Sequence, residues 1–301
     1  MDPKRAGRPR VRDALVLLVA PAVLFLTVWL PAAAADVRLV EVESRALELP
    51  DFVDPVAIAS GPLGELYLGD LGRGVVVRLD SEARIDFEFE TPSTQPDLQP
   101  LDLVATGFQV YVLDAESNAL LRYSNRGSYL DLLQSFARRD IETPHSVAVD
   151  GTGRILLANP AQHVVRLIDE TQQTETVVGG FGKRAGELTT PRSVAFAPDG
   201  AFYVADTGNA RIQLFSGVGN FESALWSELG EPRGLDANAR GDLFVADASG
   251  SVHVFTAERL QHMQLPLPET RPIDVAVYRD TLWVLSNAPH RLVRIRVVRE
   301  E

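Results

Sequence analysis

Thr190 to Phe215 reads TPRSVAFAPDGAFYVADTGNARIQLF, and the stretch alternates with the period of two that a strand requires. Phe202 and Val204 point one way, Tyr203 and Ala205 the other. Pro198-Asp199-Gly200 reads as the turn between a first and a second strand, because Asp closes its own turn and Gly supplies a positive φ. Asp206-Thr207-Gly208-Asn209 then leads into a third strand, Ile212 to Phe215. No helical periodicity of any length interrupts the pattern.

The unit recurs. TPHSVAVDGTGRILLANPAQHVVRLI begins at Thr143, EPRGLDANARGDLFVADASGSVHVF at Glu231, and weaker copies open as DPVAIAS at Asp54, QPLDLVA at Gln99 and RPIDVAV at Arg271. The prolines Pro55, Pro100, Pro144, Pro191, Pro232 and Pro272 mark six units spaced 40 to 47 residues apart, the period of propeller blades. A variable fourth strand, such as Glu175 to Val178, completes each unit. Four short antiparallel strands repeated six times predict an all-β, six-bladed β-propeller; a β-sandwich would not repeat at one interval. The last unit runs out before a fourth strand, and the strand-like Val37 to Val42 belongs to none. Pairing the two is expected to close the ring and remove the exposed edges.

Upstream of the repeats the composition changes. Lys4, Arg5, Arg8, Arg10 and Arg12 precede an apolar run from Ala14 to Leu30, which passes through Pro31 into four alanines before Asp36. This is the layout of a secretory signal peptide with cleavage after Ala35. The 22 residues from Ala14 to Ala35 are also long enough for an uncleaved membrane anchor. Both readings place residues 36–301 outside the cytoplasm, periplasmic or extracellular, because the positive end stays inside. Those residues carry 24 Lys/Arg against 39 Asp/Glu, a formal charge of −15, which argues against nucleic acid as a partner. With no cysteine, disulfides and thiolate metal sites are excluded.

Across Asp54 to Val298 the chain resembles the NHL-repeat family, and the fourth unit carries its pattern at Gly186, Leu188, Pro191, Val194, Gly200, Tyr203-Val204-Ala205-Asp206, Asn209, Arg211 and Ile212. The resemblance implies a propeller that serves as a binding scaffold and in some members as an enzyme. In the amidating lyase of this repeat type the zinc histidines follow the strand-opening prolines of three blades. Here those positions hold Val56, Leu101, His145, Arg192, Arg233 and Ile273, so only His145 matches, and a zinc site needs at least three protein ligands. By the same resemblance these residues line one mouth of the central channel. His145, Arg192 and Arg233 form a basic arc there, a candidate anion-binding site, opposite an apolar arc of Val56, Leu101 and Ile273.

Six-bladed lactonases, which the chain is similar to in blade number, place a divalent cation in the channel. Asp102, Asp236 and Asp274 fall at alternate positions of first strands and are the candidate oxygen ligands for calcium. No catalytic residue and no required cofactor is assigned. Asp70, Asp114, Asp206 and Asp247, with Asn159 and Ser286-Asn287 in the other two blades, end second strands and read as turn caps. Arg291, Arg294, Arg296 and Arg299 read as solvated strand faces, and Arg78, Arg122 and Arg166 recur at the place of Arg294. Gly179-Gly180-Phe181-Gly182-Lys183-Arg184 lacks the Ser/Thr and the helix of a phosphate loop and reads as a blade connector. The expected function is a monomeric binding module for a protein or an anionic small molecule, the alternative a metal-dependent hydrolase or lyase working in the channel.

Overall fold

The computed structural model describes residues 45–80, 82–94, 97–135, 144–169, 171, 174–225, 229–257 and 262–297, all within the compact unit Ala35–Glu301. The expected signal segment 1–35, the expected strand Val37 to Val42 and Arg299 lie outside them. No helix among the described residues is long and apolar enough to cross a membrane.

Six four-stranded antiparallel sheets follow one another along the chain. Blade one is β2 (Pro55–Ser60), β3 (Leu66–Asp70), β4 (Val75–Leu79) and β5 (Ile85–Glu88); β1 (Arg45–Glu48) precedes it. Blade two is β6 (Pro100–Thr106), β7 (Gln109–Asp114), β8 (Ala119–Ser124) and β9 (Tyr129–Ser135); blade three is β10 (Ser146–Val149), β11 (Ile155–Asn159), β12 (Val164–Ile168) and β13 (Glu175–Gly179). Blade four is β14 (Pro191–Phe196), β15 (Phe202–Asp206), β16 (Arg211–Phe215) and β17 (Phe221–Leu225); blade five is β18 (Pro232–Ala237), β19 (Leu243–Asp247), β20 (Ser251–Phe255) and β21 (His262–Pro266). Blade six is β22 (Pro272–Tyr278), β23 (Thr281–Asn287) and β24 (His290–Arg296), with β1 as its outer strand. The inner strands β2, β6, β10, β14, β18 and β22 each pack against the next, and β22 against β2, so the ring is closed. An N-terminal strand does complete the last blade, but it is Arg45–Glu48: Leu47 pairs with Leu292 and Glu48 with Arg291, whose Nε donates to Glu48 Oε1 at 2.7 Å.

The alternation explains why both faces of a blade are apolar. Phe202 and Val204 pack into the cluster shared with blade three, while Tyr203 and Ala205 pack into the cluster shared with blade five. A blade is therefore a sheet whose two sides are each buried against a neighbour, and hydrophobic burial at each junction is the main cohesive term. The Pro198-Asp199-Gly200 turn forms as read: Gly200 has φ +86, its N–H donates to Ala197 O, and Ala201 N–H donates to Asp199 Oδ1 at 3.1 Å.

The second-strand carboxylates tie each blade to its incoming connector. Asp70 accepts the N–H groups of Val53, Asp54 and Arg73 at 2.9, 2.9 and 3.1 Å, and Asp114 those of Gln99 and Ser117. Asp206 goes further, accepting from Thr189 N–H, Asn209, Gln213 and Arg211 Nε. Arg211, 1% exposed, donates three further N–H groups to the carbonyls of Lys183, Arg184 and Glu187. A buried guanidinium survives only when every donor is met, and here it pins the glycine-rich connector in place. Arg294 and Arg296 are exposed, as the solvated reading has them, while Arg291, Arg78, Arg122 and Arg166 are half-buried. Arg78, Arg122 and Arg166 form ion pairs with Asp86, Asp131 and Glu175 of the fourth strands, and Arg294 lies over the Trp283 ring, because adjacent strands bring these side chains within reach of one another.

Candidate functional site

Five of the six inner strands open with their proline, and in those five the ladder slips there; β10 begins two residues after Pro144. The register shifts between Pro55 and Ala57, Pro100 and Asp102, Pro191 and Ser193, Pro232 and Leu235, and Pro272 and Asp274. Proline has no N–H to give the ladder, and the bulge leaves the next residue without a cross-strand partner, free to be re-aimed. Val56, Leu101, Arg192 and Ile273 are those extra residues, and Arg233 stands with Gly234 in the widest of the slips. Sequence pattern placed these side chains but not the bulges that turn them.

The basic arc assembles. Arg192 Nη1 lies 3.2 Å from His145 Nε2, across the junction of blades three and four. His145 is exposed at the mouth yet walled in by the blades around it. Desolvation first, then the charges of Arg192 and Arg233, hold its pKa down at about 4. Arg233 differs from Arg192 in its partner: its Nε donates to Glu231 Oε1 at 3.0 Å, while Arg271 Nη2 reaches Glu231 Oε2 at 3.3 Å. Glu231 is thus saturated by two guanidinium groups. Arg192 has no hydrogen-bonded carboxylate among the described residues, and desolvation with the charges of Arg233 and Arg271 lowers its pKa against the opposing charge of Glu231. Val56, Leu101 and Ile273 are all half-buried and supply the apolar side of the mouth.

One layer further in, side chains latch five of the six inner strands to the next. Asp102 Oδ2 accepts Val147 N–H at 2.8 Å, Asp236 Oδ2 accepts Val277 N–H at 2.7 Å, and Asp274 Oδ2 accepts Ile58 N–H at 2.8 Å. The other oxygen of each accepts the N–H of the following residue, Leu103, Ala237 and Val275. Ser146 and Ser193 do the same work by hydroxyl, accepting Val194 N–H at 3.4 Å and Leu235 N–H at 3.1 Å. Gly234 occupies the matching place in blade five, where a Cβ would come within 2.5 Å of Asp274 Cα. Asp236, two residues on, takes over the latch.

These carboxyls border a cavity of about 350 Å³ that runs along the axis to the turns at Gly61 and Gly107. Desolvation raises Asp102 to about 6 and Asp236 to about 7; Asp274 is pushed up by desolvation and by the charges of Asp102 and Asp236. All six oxygens already accept a backbone N–H, and no group of three or more such side chains is spaced to hold a metal ion among the described residues. The donor set is built to receive N–H groups and protons, and the arrangement fits a calcium ion poorly.

Blade five holds a polar chain that sequence reading passed over. Fully buried His253 places Nε2 3.0 Å from Ser251 Oγ and 3.6 Å from Asp247 Oδ2, and Nδ1 2.8 Å from His262 Nε2. Burial alone raises Asp247, but hydrogen bonds from His253, Ser249 and the backbone N–H of Glu231 outweigh it and hold the carboxyl well below the usual range. Hydroxyl and carboxylate sit on the same ring nitrogen, which is not the arrangement that activates a nucleophile. Pairing shows its origin: Ser251 and His253 face Asp247 and Val245 as Arg211 and Gln213 face Asp206 and Val204 in blade four. Two histidines nine residues apart on neighbouring third and fourth strands were the available signal.

The NHL repeat family model matches residues 188–215, the third connector and the first three strands of blade four. The chain is a six-bladed β-propeller with an NHL repeat in its fourth blade. Solved structures similar to this NHL propeller include a gluconolactonase from Xanthomonas campestris, with TM-score 0.66 and 18% identity over 85% of this chain and 90% of that one. Virginiamycin B lyase from Staphylococcus aureus gives TM-score 0.59 and 15% identity over 86% and 88%. Likeness at such identity speaks to the fold. No curated protein matches the NHL propeller by sequence.

Proposed function

We propose that the NHL propeller is an exported binding module that takes an anionic ligand at the proline-side mouth of its channel. The observation that carries this reading is Arg192: a half-buried guanidinium whose described hydrogen-bond partner is an imidazole, set beside two further arginines that share one carboxylate. Partial burial strengthens a charge-assisted hydrogen bond to an oxyanion, and the apolar arc opposite suits an apolar substituent on the same ligand. A thermal-shift screen of phosphorylated, carboxylated and neutral amphiphiles tests it. Anionic members are expected to raise the melting temperature of wild type and not of Arg192→Ala; equal shifts in both proteins, or no anionic hit, end the reading.

The second reading, a hydrolase or lyase, draws on the channel carboxyls. Groups raised to about 6 and 7 beside a cavity stand near the pH at which an acid or base works best. Turnover of lactones or related esters, abolished in Asp236→Asn, is the result that supports it over the binding module.

A further inference from the structure

Arginine has N–H donors and no acceptor. The contact of Arg192 Nη1 with His145 Nε2 therefore needs the lone pair of that nitrogen, which makes the ring neutral with its proton on Nδ1. A protonated ring carries N–H on both nitrogens and must let Arg192 go. Both groups would then be donors aimed into one space.

The charge count sets what that space accepts. Arg192, Arg233 and Arg271 against Glu231 leave two positive charges with His145 neutral. Arg192 and His145 lie 3.2 Å apart, so a charge that reaches both must sit on one group, not on two spaced carboxylates. We infer that His145 clamps Arg192 in the free protein and that the mouth binds a phosphate monoester together with one proton, Arg192 leaving Nε2 for the phosphoryl oxygens and protonated His145 donating to them. The inference rests on the anion-binding reading above.

The surroundings of His145 support the linkage. Arg192 on β14 and Arg233 on β18 repel its proton, Arg271 adds to the positive side, and Glu231 is spent between Arg233 and Arg271. From β6, β2 and β22 the mouth receives Leu101, Val56 and Ile273, none of which titrates. The free ring is consequently held near 4, and a dianion placed beside it opposes the repulsion and draws a proton in. Proton balance is simple: one is taken from solvent on binding and returned on release.

Calorimetry of the whole exported chain with sulfate, a dianion that does not itself titrate between pH 5 and 8, isolates the proton taken by the protein. In buffers of different ionisation heat at pH 6, wild type is expected to take up about half a proton or more per sulfate bound, with affinity falling up to about tenfold per pH unit above the pKa of the bound ring. His145→Gln, whose amide oxygen can still hold Arg192, is expected to bind with no uptake and no such slope. Phenyl phosphate should bind tighter than sulfate, through the apolar arc, and tighter than succinate. Nitrogen-15 spectra of the free protein at pH 7 should show His145 as the Nδ1–H tautomer, a readout independent of any variant's folding. Sulfate binding without proton uptake, uptake equal in the variant, preference for succinate, or the Nε2–H tautomer overturns the clamp and leaves the anion site standing; no anion bound at pH 5 removes both.

Discussion

At the residue scale the same junction problem is solved twice, by carboxyl and by hydroxyl. Asp102 and Ser146 stand two residues after their prolines, and each accepts the N–H of the next inner strand. The carboxyl costs more when ionised, since burial raises it to about 6. Well below pH 3.8, Asp102 is protonated in folded and unfolded chain alike and contributes no pH dependence. Between its unfolded value of 3.8 and about 6 the unfolded chain ionises first, so stability falls as pH rises, and the cost is complete above that window. Replacing Asp102 with the serine that blade three uses forfeits the bond to Leu103 at every pH but removes the titrating group and its charge on Asp274. The stability of Asp102→Ser relative to wild type is thus expected to improve by on the order of 1–3 kcal/mol from pH 4 to pH 8, read from urea melts; two parallel profiles would contradict the burial account. That the aspartates would face the axis was legible in the alternation. That one oxygen of each would be taken by the next inner strand's backbone was not, because the donor lies 41 to 216 residues away.

Among the elements, the first strands and their turns were readable because their signals are local: proline, alternation, then Asp-Gly. β1 was not. Its sequence, Arg45-Ala46-Leu47-Glu48, has little of the alternation that makes Val37 to Val42 look like a strand; it is a strand because β24 offers an unpaired edge and Arg291 a partner for Glu48. Pairing, not propensity, decides such a segment. The bulges after the prolines escaped for a related reason, since a two-against-one count exists only once the partner strand is in place. Beginning the propeller at Leu49 would leave β24 exposed and remove Leu47 from the cluster it shares with Leu285 and Leu292. Each lost ladder bond is worth about 0.5–1.5 kcal/mol, so a melting temperature several degrees lower and concentration-dependent association through the open edge are expected. Light scattering and thermal melts check this, and a truncated protein that melts with wild type and stays monomeric would show that β1 does not close the ring in solution.

For the whole molecule, the basic mouth belongs to a body of opposite sign. Residues 36–301 carry a formal −15, while among the described residues the arc of Arg192, Arg233 and Arg271 keeps two positive charges beyond that of Glu231. An anion arriving from solution first meets the negative far field and only then the local one, and the two are screened differently. The Debye length falls from about 30 Å at 0.01 M salt to about 8 Å at physiological strength, which erases the repulsion of distant carboxylates but barely touches a hydrogen-bonded contact at 3 Å. Association of a phosphate monoester is therefore expected to speed up as salt rises over this range, the reverse of ordinary steering toward a basic surface, while dissociation changes little. Stopped-flow rates with a fluorescent aryl phosphate measure both. An association rate that drops with salt would mean that the mouth's own field reaches past the acidic surface, and the ligand would then be drawn in by steering and not merely held on arrival.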